Sequence, residues 1–388
     1  MGGGRLAEVF LAFLRLGLTS FGGPVAHIGY FRTAFVVRRK WIDEAGYGDL
    51  VALCQFLPGP ASSQVGFVLG LMRTGSLMGG LAAWVGFTLP SALLLAALGL
   101  GAAHLAGPDV QGVIHGLKLV AVAVVAQAVH GMARTLAPDL PRATLAFLSL
   151  ALVLLWAGSL SQILAIALGG AAGCLLCRQG AVTQSAHLAV PLSRTAGLAC
   201  LAVGGGLLLV LPLAGVLSPA LALVEAFYRA GALVFGGGHV VLPLLETALV
   251  GPGWVSEADF LAGYGLAQAV PGPLFTFASY LGAVAGGAGG AVLATLAIFL
   301  PGLLVVLGAL PFWTGLRRMP LAGAAMRGAN AAVVGVLGAA LYSPVWTSAV
   351  HGPVDFVLAT GGFLLLTLGK APPLAVVVLL TLAGWLLA

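Results

Sequence analysis

Two short segments of this chain place a basic residue and a histidine on either side of a glycine-rich break in an apolar stretch. In the first, Arg15 precedes and His27 follows the sequence Phe-Gly-Gly-Pro; in the second, Arg229 precedes and His239 follows Phe-Gly-Gly-Gly. A break in a helix frees backbone N–H groups, which carry a partial positive charge at the N-terminus of the next half-helix and can hold an anion. The two segments therefore predict anion binding at the breaks. The residues of the breaks are Phe21, Gly22, Gly23 and Pro24 in the first segment and Phe235, Gly236, Gly237 and Gly238 in the second.

Two further breaks have the sequence Pro-Gly-Pro, and each is preceded by a glutamine. Glycine lets a backbone approach a ligand closely, and proline suits the first turn of a new half-helix. Both residues are also common in membrane helices, so a single break would indicate little. Four breaks in register favour a transport site near the middle of a membrane. The residues are Gln55, Pro58, Gly59 and Pro60, and then Gln268, Pro271, Gly272 and Pro273.

Arg15 and Arg229 lie at matching positions in apolar segments. A cation inside a membrane costs about 2.5–3.5 kcal/mol and marks a candidate functional site, and the forked donors of a guanidinium suit a tetrahedral oxyanion. The alternative is that each arginine reaches the membrane interface or pairs with a carboxylate, Glu8 or Glu225. Glu225 precedes Arg229 by one helical turn, which is the spacing of an ion pair on one helix face.

Other polar residues in apolar segments are candidates for completing an anion site or for proton coupling. Lys118 aligns with Asn330, and both are predicted to lie inside the membrane. They and the two glutamines are donors, although a polar contact between helices explains each of them equally well. For the two histidines, a structural hydrogen bond is the alternative to proton transfer. The candidates for proton coupling are Glu8, Glu225, Glu246, His27 and His239.

The composition identifies the elements that must position these residues as membrane helices. Of 388 residues, 60% are hydrophobic and 7% are charged, whereas a soluble domain carries about 25% charged residues. The mean hydropathy is +1.11. Apolar runs of about 20 residues recur and do not alternate with polar ones, which predicts an all-α polytopic membrane protein and argues against a β-barrel. The net charge of +6 then reflects basic cytoplasmic loops rather than nucleic-acid binding, and no cleavable signal sequence is expected.

Neither a cofactor nor a metal site is predicted. Cys174 and Cys177 have the spacing of a metal or redox pair, but they stand alone at a helix end, and a zinc site usually needs four ligands. The glycine-rich breaks do not match the phosphate-binding loop of nucleotide-binding proteins. Because the sequence contains no recognisable nucleophile and base with the spacing of an enzyme family, no enzymatic activity is predicted.

An internal repeat organises the chain. Residues 41–60 align without a gap with residues 254–273, and they share Trp, Glu, Ala, Leu, Gln and Pro-Gly-Pro at matching places. Further matches on both sides predict that residues 1–178 and 219–388 are two copies of one unit, called the first and second copy below. Residues 179–218 are predicted to join them through one extra membrane span.

The distribution of Lys and Arg predicts that the two copies have opposite orientations in the membrane. With the N-terminus in the cytoplasm, the basic residues of the loops fall on the cytoplasmic side, including Arg317 and Arg318, as is usual for membrane proteins. Inverted repeats with broken helices at matching positions are typical of secondary transporters. The segments predicted to face outwards, which contain no Lys or Arg, are 103–109, 247–257, 284–288 and 344–353.

The order of these motifs resembles that of a known family. Phe21–Pro24 with His27, and Phe235–His239, are each followed by a tryptophan and then by Gln-x-x-Pro-Gly-Pro. This arrangement is similar to the chromate ion transporter family in its long two-domain form, over essentially the whole chain. The resemblance implies a multi-pass carrier in the bacterial inner membrane that exports chromate, with sulfate as a competing analogue. It leaves open a homodimer and coupling to protons.

Export of a dianion is energetically reasonable on the membrane potential alone. Moving one charge through about 100 mV is worth ~2.3 kcal/mol, so a dianion that leaves a negative-inside cell gains ~4.6 kcal/mol. That gain corresponds to about three orders of magnitude in concentration ratio, and proton antiport would add to it. The alternatives are a proton-coupled transporter of sulfate or an organic anion, and an anion channel, both of which would use the same broken helices.

Overall fold

The computed structural model describes residues 2–21, 23–102, 108–156, 159–178, 192–235, 238–316 and 319–387. Within these ranges the chain is helical and contains no strand. Five of the helices are long and apolar enough to cross a membrane. The predicted class, an all-α polytopic membrane protein, is therefore confirmed. Among the residues singled out above, Gly22, Gly236, Gly237, Arg317 and Arg318 lie outside the described residues.

The first copy contains eight described α-helices, and the linker contributes a ninth. A π-helical segment, Arg32–Arg38, follows the second of them. The helices are α1 Gly2–Thr19, α2 Gly23–Phe31, α3 Glu44–Phe56, α4 Ala61–Thr74, α5 Leu77–Ala102, α6 Pro108–Leu136, α7 Leu140–Leu155, α8 Ser159–Leu176 and α9 Arg194–Ala214.

The second copy repeats this order with small local differences. Its 3₁₀ turns are Gly238–Val240, Leu274–Thr276 and Leu310–Phe312, and Leu341–Trp346 is π-helical. The helices are α10 Pro219–Ala232, α11 Val241–Leu249, α12 Glu257–Ala269, α13 Phe277–Ala309, α14 Trp313–Leu316, α15 Pro320–Ala340, α16 Pro353–Thr367 and α17 Pro373–Leu387.

Local sequence explains where the helices of two broken hairpins, α3–α4 and α12–α13, begin and bend. Asp43 caps α3 by accepting from the N–H of Gly46, and Ser256, which aligns with Asp43, caps α12 by accepting from the N–H of Asp259. Such side-chain oxygens satisfy N–H groups that have no partner inside the helix. Helix α13 is interrupted by non-helical backbone at Gly286 and Gly287, inside the segment predicted to form a turn between two spans.

The two copies are intertwined. Helix α6 of the first copy packs on α16 and α17 of the second, and α15, which aligns with α6, packs on α7 and α8 of the first. Small residues at matching positions allow the backbones to approach. A Cβ on Gly384 would lie 2.5 Å from the backbone nitrogen of Gly116, and one on Gly173 would lie 2.7 Å from Cα of Gly328. Each copy therefore completes the helix packing of the other.

Replacing Gly173 tests this close packing. Gly173→Val should destabilise the protein because a side chain at the α8–α15 contact meets backbone atoms of Ala324 and Gly328, and forced overpacking costs about 1–3 kcal/mol. We expect the purified variant to have a lower apparent melting temperature in detergent. The control is Gly205→Val in α9, where a Cβ meets nothing within 4 Å. Equal melting temperatures for the two variants would contradict the assigned contact.

Candidate anion-binding site

The four helix breaks meet in the interior of the protein. The N–H of Gly59 donates to the carbonyl oxygen of Val234 at 2.7 Å, and the N–H of Gly272 donates to that of Ser20 at 3.0 Å. Ser20 and Val234 occupy matching positions, each directly before a Phe-Gly-Gly break. Each Pro-Gly-Pro loop is thus bonded to the helix end that precedes the break of the other copy. Gly59 and Gly272 share a φ of 113°, a backbone conformation that favours glycine.

Further contacts between the breaks are equally close. A Cβ on Gly238 would lie 3.3 Å from Cγ of Pro24, so the two Phe-Gly-Gly breaks touch. A Cβ on Gly59 would lie 2.8 Å from Cα of Gly302, and one on Gly272 would lie 2.7 Å from Oγ of Ser91. Gly302 and Ser91 align with each other, because each follows the proline inside its long helix. The described residues of the four breaks therefore contact one another and form one structural unit. They belong to Phe21–Pro24, Pro58–Pro60, Pro271–Pro273 and Gly238.

His27 lies at the centre of a buried polar group in the first copy. Its Nε2 is 3.2 Å from the carbonyl oxygen of Ser20, and its Nδ1 is 3.4 Å from Oγ of Ser62. Because a carbonyl can only accept, Nε2 carries the proton, and Nδ1 accepts from the hydroxyl of Ser62. The ring also lies edge-on to Phe87, with centroids 5.2 Å apart. Both nitrogens are engaged, so His27 holds its neighbours in place and offers no donor to an anion in this arrangement.

His239 has a different environment from His27. Its Nδ1 is 2.7 Å from the hydroxyl of Tyr264 in α12, and Tyr264 is fully buried. The two histidines therefore do not form an equivalent pair, in keeping with their different offsets from the breaks.

Arg229 has the carboxylate partner that the spacing in α10 indicates. Its Nε donates to Oε1 of Glu225 at 2.9 Å. The side chain lines a small crevice with Ile163, Leu244 and Thr247, between α10, α11 and α8. The structure thus shows the ion pair that was the alternative to anion binding by Arg229. Binding of an anion by Arg229 stays a prediction.

Arg15 lies on an exposed face of α1 together with Leu11 and Leu18, whereas Ala12 and Phe13 of the same helix are buried. Its side chain is not part of the buried polar group around His27. The two arginines, which match in the sequence, therefore differ in their surroundings.

The hairpins that carry Gln55 and Gln268 also differ. Helix α12 packs on α6 and α17, whereas α3 packs mainly on α4 and on Arg32–Arg38. Gln55 is exposed, but Gln268 is half-buried and its Nε2 is enclosed without a described partner. Lys118 on α6 and Asn330 on α15 are both half-buried, and Oδ1 of Asn330 is enclosed without a described partner. The two glutamines are therefore in unlike environments, whereas Lys118 and Asn330 are buried to a similar extent.

The three acidic candidates for proton coupling have different partners. Glu8 accepts from Arg73 at 2.9 Å and lies 3.8 Å from Arg39, and both guanidinium groups lie over the ring of Trp41. This cluster ties α1 to the end of α4. Among the three carboxylates as described, only that of Glu246 has no basic partner; it accepts a 3.5 Å hydrogen bond from the hydroxyl of Thr247.

Sequence reasoning missed several buried polar residues. Asp49 of α3 is 4% exposed, and its Oδ1 accepts from the indole N–H of Trp313 at 3.2 Å. Asp49 could have been found, because an ionisable residue in a predicted membrane hairpin is a candidate by default. Ser20 and Thr88 had no comparable signal, since hydroxyls are frequent in membrane helices.

Comparison of the sequence with known proteins assigns the chain to a family. The family model described as "Chromate transporter" matches residues 7–174 and 221–385. The chain belongs to the chromate transporter family. The resemblance identified from the helix breaks is therefore confirmed, and the chain is a multi-pass membrane protein of a transporter family.

Relatives in this family match nearly the whole chain. The "Chromate transport protein" of Pseudomonas aeruginosa is 31% identical over 98% of this chain and 92% of that protein. The "Chromate transport protein" of Cupriavidus metallidurans is 28% identical over 94% and 89%, respectively. The "Probable chromate transport protein" of Synechococcus elongatus is 27% identical over 87% and 84%. No solved structure matches the chain.

A double substitution tests whether the ion pair of Arg229 with Glu225 stabilises the protein. Arg229→Gln should strand the carboxylate of Glu225, whose side chain is 14% exposed, and a buried group left without its partner costs about 1–3 kcal/mol. We expect a lower melting temperature for Arg229→Gln and recovery in Arg229→Gln/Glu225→Gln. Arg15→Gln, at the matching position, is the control and should leave the melting temperature unchanged. A double variant that is no more stable than Arg229→Gln would show that the ion pair is not the cause.

Proposed function

We propose that the protein exports chromate from the cytoplasm as a carrier with a single central pathway between two inverted repeats. The observation that carries this proposal is the pair of matching hydrogen bonds, from Gly59 to Val234 and from Gly272 to Ser20, that bring all four helix breaks together. Broken helices of two repeats that meet in the interior are the usual binding site of repeat-based transporters. The substrate is inferred from the names of relatives that match nearly the full length.

The two-copy organisation has independent support. The family model matches the chain as two segments, and these segments fall within residues 1–178 and 219–388. The exchange of α6 and α15 between the copies, and the matching contacts Gly116–Gly384 and Gly173–Gly328, relate the same pairs of positions. Opposite orientation is supported by the distribution of Lys and Arg.

The direction and driving force follow from the charge of the substrate. A chromate dianion that leaves a negative-inside cell gains ~4.6 kcal/mol at about 100 mV, so export proceeds on the membrane potential. If protons are exchanged as well, Glu246 is the most suitable of the three acidic candidates, because Glu8 and Glu225 are each held by arginine in ion pairs.

Flux measurements in proteoliposomes test the proposed function. We expect purified protein to move labelled chromate, to respond to an imposed potential with the sign of a net negative charge, and to be slowed by external sulfate. A dependence on an imposed pH gradient would add proton antiport. The same liposomes distinguish the alternatives: sulfate uptake driven by protons without chromate flux would favour the sulfate importer, and conductance far above carrier rates would favour a channel. Protein-free liposomes and heat-denatured protein are the controls.

Cysteine labelling tests the predicted topology. Lys40 and Gly253 are exposed, and they lie next to Trp41 and Trp254, which align with each other. In a background without the four native cysteines, we expect an impermeant thiol reagent added to intact cells to label Gly253→Cys and not Lys40→Cys. After permeabilisation both should react. Equal labelling of the two positions from outside would be incompatible with inverted repeats.

A further inference from the structure

Three hydroxyl groups in the first copy are buried without a hydrogen-bond partner. They belong to Ser20, Ser63 and Thr88, which are 1%, 2% and 2% exposed, and none of their side-chain oxygens has a described partner. Buried polar atoms are almost always satisfied in folded proteins, because leaving a hydrogen bond unmade is costly. Three such hydroxyls on neighbouring segments therefore leave hydrogen-bond donors available for a bound group.

Short contacts connect the segments that carry these hydroxyls. His27 bonds the carbonyl of Ser20 through one ring nitrogen and Ser62, the neighbour of Ser63, through the other. The ring of His27 also packs on Phe87, the neighbour of Thr88. On the opposite side, the N–H of Gly272 donates to the Ser20 carbonyl.

Ser91 contacts both Thr88 and the Pro-Gly-Pro loop of the second copy. Its hydroxyl donates to the carbonyl oxygen of Thr88 at 3.1 Å, and a Cβ on Gly272 would lie 2.7 Å from Oγ of Ser91. The segments that carry the three unpaired hydroxyls thus meet at one histidine and one loop.

The N-terminus of α4 belongs to the same region. Ser62 and Ser63 lie in its first turn, and the N-cap residue, Pro60, provides no side-chain hydrogen bond. The first N–H groups of a helix have no partner within it and carry the positive end of the helix dipole. Backbone N–H groups and hydroxyls are all hydrogen-bond donors, and together they suit an oxyanion that accepts at every oxygen.

Gln64 positions this helix start. Its Nε2 donates to the carbonyls of Pro58 at 2.8 Å and Gly302 at 2.9 Å, so it fixes the Pro-Gly-Pro loop against the second copy. Its Oε1 is enclosed without a described partner, but this atom is an acceptor and offers nothing to an anion.

Among the described residues of the second copy there is no equivalent polar group. Residues that align with Ser20, His27, Ser62 and Thr88 are apolar and buried in the second copy; they are Val234, Val241, Phe275 and Phe299. Thr276 aligns with Ser63, but its hydroxyl donates to the carbonyl oxygen of Pro273 at 2.7 Å and is therefore satisfied. The two copies match in backbone but differ in chemistry.

We propose that the chain holds one oxyanion site rather than two, at the N-terminus of α4, in which the hydroxyls of Ser20, Ser63 and Thr88 bind the anion and the second copy supplies an apolar wall. This site rests on the proposed transport function and deepens it. The anion is held by neutral donors, and Arg15 and Arg229 lie outside the first contacts. Its ligand class is a tetrahedral dianion, for which chromate and sulfate are the probes.

Removing one hydroxyl at a time tests the site. We expect Ser63→Ala and Thr88→Val to raise the half-saturating chromate concentration in proteoliposomes by about ten- to a hundred-fold, because each removes a hydrogen bond to a charged group. Thr88→Ser keeps the hydroxyl and should keep most of the affinity. The matched control is Thr276→Val in the second copy, which should leave the half-saturating concentration unchanged. Chromate-dependent stabilisation of the purified protein against heat gives a second readout that does not require transport.

The outcomes separate this site from the proposed function. If Ser63→Ala and Thr88→Val fold, and move and bind chromate with wild-type half-saturation, the site is wrong while chromate transport stands. If Thr276→Val weakens binding as much as Ser63→Ala does, the single-site proposal is wrong. A third outcome is that the wild-type protein moves sulfate but not chromate, and that Ser63→Ala weakens the binding of sulfate. In that case the site stands and the chromate proposal fails.

Discussion

The fold depends on how the backbone groups freed by four helix breaks find partners inside a membrane. Water is not available there to satisfy an unpaired N–H or carbonyl, so a broken helix is tolerated only where other parts of the protein bond to it. Here Gly59 and Gly272 each donate to a carbonyl at the break of the other copy. Because their φ of 113° favours glycine, the glycine of each Pro-Gly-Pro sequence is required for these bonds. The starts of α4, which carries Ser63, and of α13 are fixed by this arrangement.

Much of the helical layout was predictable from the sequence, because long apolar runs and Gly-Pro breaks are local signals. The breaks at Pro58–Pro60 and Pro271–Pro273 and the pairing of Glu225 with Arg229 follow from residue spacing alone. The exchange of α6 and α15 between the copies was not predictable, since an apolar helix carries little information about which neighbour it packs on. The exposure of Arg15 depends on how α1 packs on α5 and α4, which an apolar sequence does not specify either. The roles of Ser20 and Thr88 could not be predicted either, because only the structure shows that their buried hydroxyls have no described hydrogen-bond partner.

Matching sequences in the two copies have acquired unlike surroundings. Gly265 of α12 packs on Leu117 of α6, whereas Ala52, its counterpart in α3, is exposed. The same difference separates Gln268 from Gln55. Repeat-based carriers expose their central site to one side of the membrane at a time, by moving one bundle against another. Under the proposed carrier function, two hairpins of similar sequence with unlike packing are the arrangement expected of one such state.

The exchange of helices between the copies has a consequence for biogenesis. Synthesis proceeds from the N-terminus, so α7 and α8 enter the membrane before α15, the helix on which they pack, has been made. Until then the small-residue face around Gly173 has no protein neighbour and must be covered by lipid or by the insertion machinery. Likewise, the packing of α6 is incomplete until α16 and α17 have been synthesised. The first copy therefore cannot reach its final packing during its own insertion, and α17, a helix of fifteen residues, completes an interface that the first copy began.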